Sequence, residues 1–199
     1  MVKVSSFFIA VILFFGSQLS FATAIGPQAL VKQVAEKTIG RIKADREKIK
    51  ENPKYLHVVI DELLMPHFDF ERMSRWVLGK YWRKASASQK KAFVEQFKSL
   101  LVRTYASSLQ EYSDELITYA PFRGNLASGD AVVRSEVAQP GGFPIPINYR
   151  LYLKNDQWLV YDISIDDVSL VANYRSSFSR QIRRGGIDNL IKKLADKNK

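Results

Sequence analysis

A chain of 199 residues, 46% hydrophobic and 25% charged, has the composition of a folded globular protein, which excludes a disordered or fibrous one. It holds no cysteine and two histidines, so neither a disulfide scaffold nor a cysteine-based zinc site can be built from it. The formal net charge of +10 would draw it to anionic surfaces, acidic partners or nucleic acid.

Taken in order, the chain opens with Lys3 as a short positive region. Val4–Phe15 follows, apolar apart from Ser5 and Ser6, and then Ala22-Thr23-Ala24 as a small-x-small site. That order predicts a secretory signal peptide over residues 1–24, cleaved after Ala24. The apolar run is too short for an ordinary spanning helix, although a retained anchor is the alternative. The remaining residues, 25–199, form a single expected domain, long enough to bury about two thirds or more of its unfolded surface. An exported chain without disulfides must be held by its core alone, which suits the bacterial periplasm better than the open extracellular medium. Export also removes nucleic acid from the expected partners.

From Pro27 to about Asn52 the spacing predicts a helix with Leu30, Val34, Ile39 and Ile42 inward, broken by Asn52-Pro53. A second helix runs from Pro53 through Val59, Ile60, Leu63 and Leu64 to Pro66. A short third begins at Asp69 or Phe70, carries Met73, Trp76 and Val77, and stops at Gly79. Ser86 to Tyr112 then reads as one long helix. Phe93, Phe97, Leu100, Leu101, Tyr105, Leu109 and Tyr112 fall at steps of three and four on one stripe, and Ser86 with Gln89 is a capping-box pattern. So broad an aromatic stripe needs an equally apolar surface opposite it.

After Tyr112 the period changes to two. Leu116–Tyr119 and Ala131–Val137 read as strands, and Gln139-Pro140-Gly141-Gly142 as a loop. Asn148–Lys154 and Gln157–Ile165 form a hairpin across Asn155-Asp156, opposing Leu153 to Trp158, Leu151 to Val160 and Tyr152 to Leu159. Large apolar groups on both faces imply helices on one side and a second apolar surface that is either packed or open to a ligand. Val168–Arg184 returns to helical spacing, Gly185-Gly186 ends it, and Ile187–Lys197 is a last helix. The fold class expected is α+β, predominantly helical, with a curved antiparallel sheet of about four strands.

Signals for catalysis are weak: no nucleophile elbow, zinc helix or glycine-rich phosphate loop occurs. His57 and Asp61 could share a metal, but two ligands do not make a site and a surface pair is the better reading. His67 beside Asp69 reads as a hydrogen-bonding or capping contact, and Asp162, Asp166 and Asp167 as turn chemistry. Arg175, Arg180, Arg183, Arg184, Lys192, Lys193, Lys197 and Lys199 face only Asp188 and Asp196. That basic end is either a docking surface or a solvated helix face. The many aromatic groups fit a plain core or a ligand cavity, and composition does not choose between them.

The residues also carry a family resemblance. Leu64-Met65-Pro66-His67-Phe68-Asp69-Phe70-Glu71-Arg72-Met73, Val77-Leu78-Gly79-Lys80-Tyr81-Trp82, Trp158-Leu159-Val160-Tyr161-Asp162, Val168-Ser169-Leu170 and Gly186-Ile187-Asp188 resemble the MlaC family, also called toluene-tolerance or Tgt2-type proteins. Asp166-Asp167 departs from the Glu-Gly common there, and Asn189 from a common Gly. Both replacements tolerate left-handed backbone.

The resemblance implies a periplasmic phospholipid carrier, non-enzymatic, with an apolar cavity between sheet and helices and the headgroup left outside. The implied partners are phospholipid, an inner-membrane ABC transporter with MCE domains and an outer-membrane lipoprotein complex, reached by transient contact. The implied role is outer-membrane lipid asymmetry. A monomer is expected, with no metal and no cofactor beyond the lipid cargo. The candidate lining is Phe68, Met73, Trp76, Val77, Tyr81, Phe93, Phe97, Leu101, Tyr105, Leu151 and Val160. The alternative is a periplasmic interaction module that docks a partner protein through an apolar face, without lipid.

Overall fold

The computed structural model describes residues 25–112 and 115–198. The expected signal peptide and its cleavage site lie outside the described residues. Among the described residues, seven α-helices and five strands follow in the order of the chain. The helices are α1 (Pro27–Ala44), α2 (Arg46–Glu51), α3 (Lys54–Leu63), α4 (Phe70–Leu78), α5 (Lys80–Lys84), α6 (Ala87–Glu111) and α7 (Leu170–Lys197). The strands are β1 (Ile117–Tyr119), β2 (Asp130–Val137), β3 (Ile145–Lys154), β4 (Gln157–Ile165) and β5 (Val168–Ser169).

The long central helix α6 begins as its sequence requires. Gln89 N–H donates to Ser86 Oγ at 3.1 Å, and Ser86 N–H donates to Gln89 Oε1 at 2.9 Å. Two orphan donors of the first turn are thereby satisfied. Its apolar stripe is broad enough to serve two neighbours. Phe93, Phe97, Leu100 and Leu101 pack with α4 and α7, while Val102 and Ala106 pack against Ile42, Ile49, Leu56, Val59, Ile60 and Leu63 of α1–α3.

The first predicted helix is interrupted at Asp45, which separates α1 from α2. Asp45 is nearly buried there, and its carboxylate accepts hydrogen bonds from Arg41 Nε, from Lys48 Nζ at 3.0 Å and from the Tyr55 hydroxyl at 3.1 Å. The inward face of α1 is also rotated slightly from the expectation: Val31, Thr38 and Ile42 are fully buried, with Leu30, Val34 and Ile39 beside them. The second predicted helix stops at Leu63 and gives way to a 3-10 turn, Met65–His67, ahead of α4.

The five strands make one antiparallel sheet in the order β1-β2-β3-β4-β5. The β3–β4 hairpin has the expected register, with Leu151 opposite Val160, Tyr152 opposite Leu159 and Leu153 opposite Trp158. Asn155 and Asp156 both take positive φ (49° and 60°), the geometry of a two-residue turn whose twist matches the strands. A register shift between Arg150 and Leu151 bends β3 and curves the sheet. β5 is a fifth strand where a helix start was expected. It forms because Asp166 and Asp167, at φ 50° and 58°, make a second tight turn that folds Val168 back onto Ile165. Farther along that edge Phe68 is bridged in parallel to Val160, with Asp69 N–H donating to Val160 O at 2.9 Å. These contacts at Val160, Ser164 and Ile165 interrupt the β4 edge and guard against edge pairing.

Asp162 ties the sheet to α7. Its carboxylate accepts from Ser169 Oγ at 2.7 Å and from Val171 N–H at 3.1 Å, and Ser169 in turn caps the helix by accepting from Ala172 N–H at 3.1 Å. A buried carboxylate at the positive end of a helix is stabilised by both the free donors and the dipole.

Candidate functional site

Ten of the eleven candidate lining residues come together in two adjoining apolar clusters. On α4, Met73 and Val77 stand one turn apart and face inward; on α6, Phe93, Phe97, Leu101 and Tyr105 repeat at every fourth position. These meet Val171, Phe178 and Ile182 of α7, with Tyr81 half-buried alongside. Phe93 and Phe97 are fully buried and stacked at 5.7 Å, and Phe178 meets both edge-on, the arrangements that ring quadrupoles favour. Leu151 and Val160 are cross-strand partners on the sheet, packed with Val31, Ala131, Val133 and Trp158. Phe68 and Ile163 touch both clusters and mark where helices and sheet join.

Trp76 stands apart. It is 45% exposed, with its ring 5.6 Å from Tyr161, and it borders a polar cleft of about 340 Å³ lined by Asp69, Glu71, Arg72, Arg75, Trp76, Tyr152 and Lys154. The cleft lies on the opposite side of α4 from Met73 and Val77, because positions 72, 75 and 76 fall outside the inward stripe. Asp69 caps α4 by accepting from Arg72 N–H at 2.8 Å. The same carboxylate accepts a short hydrogen bond from the Tyr152 hydroxyl and lies 3.5 Å from Lys154 Nζ. Burial pushes the Asp69 pKa up, but the Tyr152 and Arg72 hydrogen bonds and the Lys154 charge outweigh it and hold the carboxyl below its ordinary value. Burial and the same Asp69 contact raise the Tyr152 phenol. The Arg72 guanidinium lies over two rings, 3.7 Å from the centre of Tyr152 and 4.6 Å from that of Tyr161.

Other polar residues have local roles. His57 is exposed on α3, and Asp61 pairs with Lys98 Nζ at 2.7 Å across to α6. His67 is half-buried, and burial, followed by the charge of Lys37, lowers its pKa. Asp162, Asp166 and Asp167 serve the helix cap and the turn described above. Among the described residues, no group of three or more His, Cys, Asp or Glu side chains could hold a metal ion, and no helix is long and apolar enough to cross a membrane. The cleft itself escaped the sequence reading. Its local signal was Asp69 three residues before Arg72, a helix-cap spacing, whereas Tyr152 and Lys154 reach it only through the fold.

The MlaC protein family model matches residues 32–196. The chain belongs to the MlaC family. Among relatives in that family, the intermembrane phospholipid transport system binding protein MlaC of Haemophilus influenzae is 30% identical over 171 residues, covering 84% of this chain and 80% of that one. The toluene tolerance protein ttg2D of Pseudomonas putida is 28% identical over 163 residues, covering 81% and 75%. In three dimensions the chain is similar to the phospholipid-binding protein of Ralstonia solanacearum, solved in complex with a phospholipid. The TM-score is 0.79 at 33% identity, over 86% of this chain and 96% of that one. The α+β architecture expected from the sequence is thus shared across nearly the whole of that phospholipid-binding chain.

Proposed function

We propose that this chain is a periplasmic phospholipid carrier that moves lipid between an outer-membrane lipoprotein complex and an inner-membrane ABC transporter bearing MCE domains, and so helps to maintain outer-membrane lipid asymmetry. The observation that carries the reading is its likeness to a protein solved with a phospholipid bound, at 33% identity and over most of both chains. The lipid's tails belong between the two apolar clusters, where Phe68, Met73, Val77, Phe93, Phe97, Leu101, Leu151 and Val160 supply the lining, with Tyr81 and Tyr105 at its margins.

The energetics favour this division of labour. Two acyl chains of about thirty methylenes lose on the order of 25 kcal/mol if exposed to water, at roughly 0.8 per methylene. A carrier must therefore hide them. In a bilayer the same chains are already in hydrocarbon, so the protein needs only to match that environment, and much tighter binding would prevent release. An apolar lining with few directional contacts meets both demands, and it calls for neither catalysis nor a cofactor.

The full chain, expressed with its leader and purified from the periplasm, should yield about one phospholipid per protein on solvent extraction, and native mass spectrometry should detect the same complex. Lipid-free protein that also fails to take up lipid from vesicles would overturn the reading.

A further inference from the structure

The geometry points to the cleft beside Trp76 as a phosphate-binding site, in which Arg72, Arg75 and Lys154 would hold the phosphate of a lipid headgroup. The inference rests on the carrier reading for its lipid source, but the chemistry of the cleft stands by itself. Both of its carboxylates are already engaged. Asp69 accepts from the Tyr152 hydroxyl and from Arg72 N–H and lies beside Lys154, while Glu71 pairs with Arg75 at 3.3 Å. Arg72 is different: among the described residues its guanidinium is in no ion pair, and its face rests on Tyr152 and Tyr161. A guanidinium held by its face, with one N–H directed at the Tyr152 hydroxyl, still has further in-plane N–H donors for an oxyanion. Arg75 adds a second fork at the rim, because its pair with Glu71 is exposed on both sides and such pairs hold weakly.

Position supports the assignment as well. Phe68 and Phe70 stack at 5.7 Å and pack against the helix core, while Asp69 between them lines the cleft. Along α4, Met73 and Val77 are buried in that core and the neighbouring Arg72 and Trp76 line the cleft. One backbone segment therefore separates a place for tails from a place for a charged group. The cleft, about 340 Å³, is at the small end of ligand sites and too polar for hydrocarbon. Trp76, left 45% exposed, gives an apolar wall at the level where a glycerol backbone would pass.

Two arms separate this inference from the carrier reading. In the first, delipidated full chain is offered vesicles carrying a fluorescent phosphatidylglycerol or a diacylglycerol with the same tails. The wild type should prefer the phospholipid by on the order of tenfold. Arg72→Gln combined with Arg75→Gln should bring the ratio close to one, and Lys192→Gln, on α7 and outside the cleft lining, should leave it unchanged. Arg75→Gln alone, at an exposed position, keeps the test open if loss of the Arg72 stack impairs folding, and should lower the ratio severalfold. In the second arm, intrinsic tryptophan fluorescence, to which Trp76 at the cleft contributes together with Trp82 and Trp158, follows titration with glycerol 3-phosphate and with inorganic phosphate. A saturable change abolished by Arg72→Gln supports the site even if neither lipid loads, and tighter binding of glycerol phosphate than of inorganic phosphate identifies the headgroup as its source. Equal binding of the two would overturn the headgroup assignment. Lipid uptake with an unaltered ratio in the double variant, or no saturable response to either phosphate, would overturn the site while leaving the carrier reading intact.

Discussion

At the scale of the residue, Asp45 illustrates how a single carboxylate decides local structure. Hydrogen bonds from Arg41 and Lys48 lower its pKa from 3.8 to about 2 against the opposing effect of burial, and Tyr55 adds to the lowering. A carboxyl whose pKa falls on folding contributes stability above its unfolded pKa, and that contribution disappears as pH drops through the folded value. Asp45→Asn should therefore melt a few degrees below the wild type at neutral pH. The deficit should shrink between about pH 4 and pH 2, where the wild-type carboxyl also becomes neutral. Thermal unfolding followed by circular dichroism across that range is the measurement, and a deficit of constant size would assign the effect to shape rather than charge. The interruption of α1 at this position was not legible beforehand. The apolar spacing continues through Asp45, and the Tyr55 hydroxyl that bonds it comes from α3.

Among the elements, α6 and the β3–β4 hairpin were the most legible because their determinants are local. Ser86 and Gln89 sit three apart, and the turn at Asn155-Asp156 sets the register of the pairs from Lys154–Gln157 to Leu151–Val160, up to the shift at Arg150. β5 was not legible, since two residues that pair with Ser164 and Ile165 also form the approach to a helix. In α7 the expected stop at Gly185-Gly186 is a kink, and helix resumes on both sides. Gly186 has φ 78° and ψ 172°, a conformation essentially reserved for glycine. Beyond the kink, Leu190 and Leu194 are buried in the main core, Asp188 accepts from Gln89 Nε2 at 2.8 Å and Asn198 reaches Gln96. Gly186→Ala should therefore cost about 1–3 kcal/mol and lower amide protection chiefly over 187–197. Gly40→Ala, in the interior of α1 with open space around the added methyl, should be neutral or stabilise by up to about 1 kcal/mol. Equal effects at the two glycines, by denaturant unfolding and hydrogen exchange, would mean that the kink carries no special backbone demand.

For the whole molecule, periodicity anticipated which apolar groups are inside but not how they are divided. Phe93 and Leu151 each read as core, yet they belong to different clusters that meet at Phe68 and Ile163. Trp76 read as lining and stands at the polar cleft, where its ring meets Tyr161 of the sheet. Asp69 and Tyr152, 83 positions apart, are joined by a fold that no local pattern encodes. This division has a thermodynamic consequence under the proposed function. A lipid seated between helices and sheet bonds to neither, but it binds only when both are folded and apposed, so its binding energy adds to the stability of the whole. At a lipid concentration about a hundredfold above Kd the gain is roughly 2.7 kcal/mol. In a domain of this size each kcal/mol raises Tm by about 2–4 °C. Loaded protein should thus melt roughly 5–10 °C above protein stripped of lipid, in one cooperative transition, and reloading from vesicles should restore the difference. Scanning calorimetry of the two forms measures it. Identical melting of loaded and stripped protein would mean that the bound lipid makes no differential contact with the folded interior, and the tails would have to be sought on the surface instead.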